Sequence, residues 1–151
     1  MNATSLQNLT GLRSVLVVDD DPDMAALICA IIRQLSPNVH VADVRGGREA
    51  IEYLRRRGPH AGTPRPDAIL LDLEMPEMSG LEVLGILASA ADLRDIPVAM
   101  FTGLDDDDMR RLALQAGACE YALKPVDPTL LAAVLGETIA HCLAVGKEAR
   151  P

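Results

Sequence analysis

The chain predicts an α/β fold, a (βα)5 doubly wound sheet of five parallel strands in the order 2-1-3-4-5. Three observations carry that expectation. Short strand-like apolar stretches recur five times along the 151 residues. A stretch of helical periodicity follows each run. Four of the runs stop abruptly at a charged or hydroxyl-bearing residue.

The elements follow in order. SVLVV at 14–18 reads as a buried strand that ends in Asp19, Asp20 and Asp21. Asp21 is a good N-cap and Pro22 suits a first helical position; the helix they open carries Met24, Leu27, Ile28, Ile31 and Leu35 as its apolar stripe. Residues 39–43 read as strand two. Gly46 and Gly47 introduce a helix over about 47–57 with Ala50, Ile51 and Leu54 inward and Arg55, Arg56 and Arg57 at its C-terminal, dipole-matched end. The Gly- and Pro-rich segment 58–66 is a loop. AILL at 68–71 is strand three and ends at Asp72; the loop LEMPEMSG leads to a helix over 79–91 bearing Leu81, Leu84, Leu87 and Ala88. PVAMF at 97–101 is strand four, ending at Thr102. The run Asp105 to Asp108 opens a helix with Met109, Leu112 and Leu114 that stops near Gly117. EYAL at 120–123 is strand five, ending at Lys124. Asp127 caps a last helix with Leu131, Val134, Leu135, Ile139 and Cys142 on its stripe. One domain over 12–145 is expected, with tails at 1–11 and 146–151 and no internal repeat.

Strands joined by helices must run parallel, with right-handed crossovers. The flavodoxin-like order then makes strands one and three neighbours at the switch point, where ligands sit beyond the carboxyl ends of the strands.

Composition excludes several classes. The net charge is −8 and the pI about 4.7, which lacks the basic face that a nucleic-acid grip needs and suits divalent cations and basic partners. Aromatic residues are 2% of the chain, so the core is aliphatic. Cys29, Cys119 and Cys142 show no zinc-site spacing and read as reduced thiols in an apolar interior. The N-terminus lacks a charged-then-apolar leader pattern, and no run approaches the ~18 apolar residues of a membrane span. A cytoplasmic protein is the expectation.

The strand ends concentrate the chemistry. In a parallel sheet of this order Asp19, Asp20 and Asp72 converge on one edge, flanked by Thr102 and Lys124. Three crowded carboxylates raise one another's pKa values, and a hard divalent cation relieves them. Mg2+ fits because it takes few carboxylates and keeps several waters. Carboxylate-held metal, ammonium and hydroxyl together suit a phosphoryl group, with a carboxylate as nucleophile in the absence of an evident Ser–His or Cys–His pair. Capping alone accounts for one acid of the DDD run and leaves Asp19 and Asp20 unexplained.

Four segments in this order resemble the receiver domains of bacterial response regulators: VLVVDDDP (15–22), ILLDLEMPEMSG (69–80), FTG (101–103) and AGACEYALKPV (116–126). The resemblance covers about 12–145. It implies that Asp72 accepts a phosphoryl group from a sensor histidine kinase or a histidine phosphotransfer protein. It implies that Asp19 and Asp20 hold Mg2+ together with Asp72 and the backbone carbonyl of Glu74. Thr102 matches the switch hydroxyl, Lys124 the lysine that pairs with the phosphoryl group, and Tyr121 the aromatic position that turns inward. The bond from Lys124 to Pro125 is often cis in such proteins. The face of helix four, strand five and helix five would meet a downstream protein target, in a monomer or a weak homodimer, with no nucleic acid or membrane involved. Leu104 stands two residues after Thr102, where relatives often carry a polar residue that tunes autodephosphorylation.

Two other readings stay open. A Mg2+-dependent aspartyl-phosphate phosphatase would use Glu74 as acid/base, two residues after its nucleophile, but no cap domain is visible. A metal-binding scaffold that is never phosphorylated would need no Thr102 and Lys124. No DNA-binding or enzymatic domain follows residue 146, so output through protein contact, or a place in a phosphorelay, is expected.

Overall fold

The computed structural model describes residues 12–149. Five strands, β1 (Ser14–Val18), β2 (His40–Val44), β3 (Ala68–Leu71), β4 (Val98–Thr102) and β5 (Glu120–Leu123), form one parallel sheet in the order β2-β1-β3-β4-β5. The helices are α1 (Pro22–Leu35), α2 (Gly47–Leu54), α3 (Gly80–Ser89), α4 (Asp107–Gln115) and α5 (Pro128–Ala149). A 3-10 turn, Gly58–His60, lies in the loop before β3.

The central strands are apolar on both sides because both faces are covered. Val15, Val17 and Leu70 join Ile28 and Ile32 of α1 and Leu131, Leu135 and Ile139 of α5 in one core. Leu16, Val18, Ile69 and Leu71 alternate with them and meet Val83, Leu84 and Leu87 of α3 on the other face. The two edge strands carry the polar positions, Asp43 on β2 and Glu120 on β5.

Local chemistry sets the helix starts. The Asp21 side chain accepts from the backbone N–H groups of Asp23 and Met24, with Pro22 at the first helical position. Ser79 caps α3 by accepting from Glu82 N, and Asp106 caps α4 by accepting from Asp108 N and Met109 N. Asp127 accepts from Thr129 N at the start of α5.

Several expectations shift. Strand two lies one residue later than 39–43. α2 stops at Leu54 rather than 57. Arg56 turns left-handed (φ 55°), its N–H donating to Tyr53 O and that of Arg57 to Glu52 O, a Schellman end with arginine where glycine is usual. On α1, Leu27 is 41% exposed, because it lies about 100° round the helix from Ile28 and opposite to Ala25 and Ile32. On α4 only Ala113 is buried, while Leu112 and Leu114 face outward. No peptide bond among the described residues is cis, so Lys124–Pro125 is trans.

The last helix departs most. It continues through Gly146 to Ala149. By length and composition Pro128–Gly146, with mean hydropathy 1.6, passes as a membrane span, against the expectation from the sequence. Glu137, Thr138 and His141 interrupt the apolar run, yet its mean hydropathy stays at 1.6. In the fold, Leu131, Leu135, Ile139 and Cys142 of this helix pack into the core against the sheet.

Candidate functional site

Parallel strands bring their carboxyl ends to one edge, and β1, β3, β4 and β5 each deliver a polar residue there. Asp19 follows β1. Its backbone N–H donates to Val44 O (3.1 Å), which continues the ladder and leaves the side chain pointing past the sheet. Asp72 follows β3 in the same way, with its N–H on Val18 O at 2.9 Å. Asp19 is 2% exposed and Asp72 is 9% exposed, so both acids are nearly dry. Asp20 is exposed.

The three carboxylates meet. Each of Asp19, Asp20 and Asp72 offers an oxygen within 4.8 Å of the others. Lys124, after β5, reaches back across the sheet edge. Its Nζ lies 2.7 Å from Asp19 Oδ2 and 3.3 Å from Asp72 Oδ2. The other Asp19 oxygen accepts from Asp21 N at 2.9 Å, which ties the site to the start of α1.

Two forces act on the Asp72 carboxyl. Burial pushes its pKa above the ordinary carboxylate value, and the Asp19 charge adds to that. Lys124 pulls it down, as does a hydrogen bond from the Glu74 backbone. Burial is the larger effect, so the carboxylate is a destabilised anion that gains by meeting a cation. Oxygen donors at this spacing are a hard-cation set, and the donor chemistry fits Mg2+ or Mn2+.

The loop between Asp72 and α3 is held tightly. A β-carbon on Gly80 would lie 2.3 Å from Asp72 O and 2.8 Å from Leu73 Cα, so only glycine lets α3 start this close to the site. In the same loop Glu77 has a positive φ of 68°. The Glu74 side chain is exposed.

Thr102 ends β4 fully buried, its Oγ1 accepting from Leu104 N at 3.2 Å. Lys124 N donates to Thr102 O at 2.8 Å, so the two residues are neighbours through the backbone. Tyr121 already points inward: it is 3% exposed and its hydroxyl donates to Leu104 O at 2.6 Å. Arg110 of α4 sits 5.1 Å above the Tyr121 ring and donates to Tyr121 O.

The structure brings Asp19, Asp20, Asp72 and Lys124 together at the sheet edge and places Thr102 at the end of β4, joined to Lys124 through the backbone. Two participants were missed. Arg45, just after β2, donates to Asp19 O at 3.2 Å and pairs with Asp43. The rule that found the acids, a polar residue at a strand's carboxyl end, applies equally to Arg45. Arg110 lies mid-helix in a charged stretch, and no pattern along the chain distinguishes it.

The chain matches the response regulator receiver domain family over residues 15–136. It therefore belongs to that family, the signal-receiving module of two-component systems. Among curated proteins it is 32% identical over 120 residues to the cyclic di-GMP phosphodiesterase response regulator RpfG of Xanthomonas campestris pv. campestris; the match covers 80% of this chain and 30% of that protein. The chain thus spans less than a third of that relative's length. Among solved structures it resembles the phosphorylated cyanobacterial phytochrome response regulator RcpA, with TM-score 0.78 and 29% identity over 84% of this chain and 91% of the other. It also resembles the Mn(2+)-bound form of the response regulator Rcp1, with TM-score 0.75 and 26% identity over 83% and 90% of the two chains.

Proposed function

We propose that this receiver domain takes a phosphoryl group onto Asp72 from the phosphohistidine of a sensor kinase or a histidine phosphotransfer protein, in the cytoplasm. A carboxylate oxygen of Asp72 attacks phosphorus, the P–N bond breaks, and the imidazole leaves with the electron pair. Asp19, Asp20, Asp72 and the Glu74 carbonyl are the groups that would hold Mg2+. When bound, that ion neutralises charge on the phosphoryl oxygens. Lys124, already between Asp19 and Asp72, supplies a second positive charge. The Thr102 hydroxyl donates to the transferred group, and its movement is read by Tyr121. The domain promotes only its own phosphorylation and dephosphorylation.

The observation that carries this reading is the juxtaposition of three carboxylates within 4.8 Å and an ammonium touching two of them. The Mn(2+)-bound and phosphorylated states named for the two structural relatives support it by likeness. Output through protein contact is supported by the surface: Leu112 and Leu114 of α4, Val126 before α5 and Leu130 on α5 are exposed apolar residues on the elements next to Tyr121.

Incubation of the chain with acetyl phosphate and Mg2+ tests the proposal. Intact mass is expected to rise by one phosphoryl group, and Asp72→Asn to abolish the rise. Uptake that survives Asp72→Asn, or none in the unaltered chain, rejects it.

A further inference from the structure

Two of the three cysteines lie together at the end of β5 opposite to Lys124. Cys119 immediately precedes β5, its backbone fixed by donation to Val98 O at 2.8 Å. Cys142 sits on the inner face of α5 and is completely buried. Their sulfurs are 3.2 Å apart, in hydrogen-bond contact, and both are free thiols. Cys119 is half-buried, whereas Cys142 backs it from the core with no exposure. Cys29, on α1, is the internal contrast: it is buried, burial pushes its thiol up to about 11, and among the described residues it makes no sulfur–sulfur hydrogen-bond contact.

We propose that Cys119 and Cys142 are a redox-active dithiol that closes to an intramolecular disulfide by exchange with a low-molecular-weight disulfide. The asymmetry of the pair assigns the roles. Cys119, the less buried of the two, is the one placed to meet the reagent, and its hydrogen-bond contact with Cys142 lowers its pKa, which favours it as the attacking thiolate. The same hydrogen bond, reinforced by burial, raises that of Cys142, which stays a thiol until it is needed. In the first step the Cys119 thiolate bonds to one sulfur of the reagent, the reagent's S–S bond breaks, and a thiolate leaves and takes up a proton. In the second step Cys142 loses its proton and attacks the Cys119 sulfur of the mixed disulfide, expelling the second reagent thiol. Two protein thiols are oxidised and one disulfide is reduced to two thiols. The new bond joins the start of β5 to α5 and closes a loop containing Tyr121 and Lys124.

The test uses the full chain, reduced and then equilibrated with oxidised glutathione, quenched in acid and alkylated with a maleimide in denaturant. One maleimide per chain is expected in place of three, with Cys119 and Cys142 recovered in one linked peptide and the chain monomeric without reductant. Cys119→Ser is expected to keep both remaining thiols, and Cys142→Ser to stop at a glutathione adduct on Cys119. Three maleimides at every glutathione ratio, a bond to Cys29, or a bond between chains overturns the proposal, and the unaltered chain alone suffices for that. The readout counts thiols and is independent of phosphoryl transfer.

Discussion

Burial raises the Asp72 carboxyl above its unfolded value, against the pull of Lys124. The sign of the consequence follows from proton linkage. Between the two pKa values the folded state holds a proton that the unfolded state has released, so stability falls as pH rises through that window. The ionised carboxylate therefore destabilises the fold at neutral pH. Asp72→Asn is expected to raise the urea midpoint at pH 7, and the gain should vanish well below the unfolded pKa of about 3.9, where both states are protonated. An equal gain at both pH values would show that the effect is not ionic. Tyr121 makes a second residue-scale case. Its hydroxyl donates to Leu104 O from a buried position. Tyr121→Phe should cost about 1 kcal/mol in denaturant unfolding, the net worth of one such bond.

At the scale of elements, α3 shows how two glycines of one helix do opposite things. Gly80 starts the helix against the backbone of Asp72 and Leu73, whereas a β-carbon on Gly85 would meet nothing within 4 Å. Gly80→Ala should destabilise by about 2 kcal/mol or more, since backbone must move, and should disturb the Asp72 loop with it. Gly85→Ala should stabilise by about 0.5–1 kcal/mol through helix propensity and unfolded-state entropy. Thermal melts of the two variants compare them directly. The same scale explains where pattern reading slipped. Strand positions were legible because burial on two faces demands unbroken apolar runs, as in SVLVV and AILL. Helix stripes were less so: Leu27 and Leu112 fit a 3.6-residue period, yet the sheet and the neighbouring helix choose which arc is covered. The end of α2 was set by a left-handed Arg56, a conformation that composition does not announce.

For the whole molecule, a net charge of −8 and a cluster of three acids at one sheet edge predict that a divalent cation binds the folded state in preference to the unfolded one. Mg2+ at about 100 times its Kd should stabilise by about 2.7 kcal/mol. The melting temperature should rise accordingly and return to baseline with EDTA. NaCl at matched ionic strength should reproduce little of the shift, because screening does not replace coordination. A chain with Asp72→Asn should respond less to Mg2+ than the unaltered chain.

The chain's linear pattern determined the number and order of strands, and with them the meeting of Asp19, Asp20, Asp72, Thr102 and Lys124. Parallel connectivity places all strand ends on one edge whatever the details of packing. Only the folded structure decided the rest. It set which carboxylates are dry, that Lys124 touches two of them, that Tyr121 is already inward, that Arg45 and Arg110 are neighbours of the site, and that Cys119 meets Cys142. These depend on distances between elements remote in the chain, which side-chain packing sets and local periodicity does not encode.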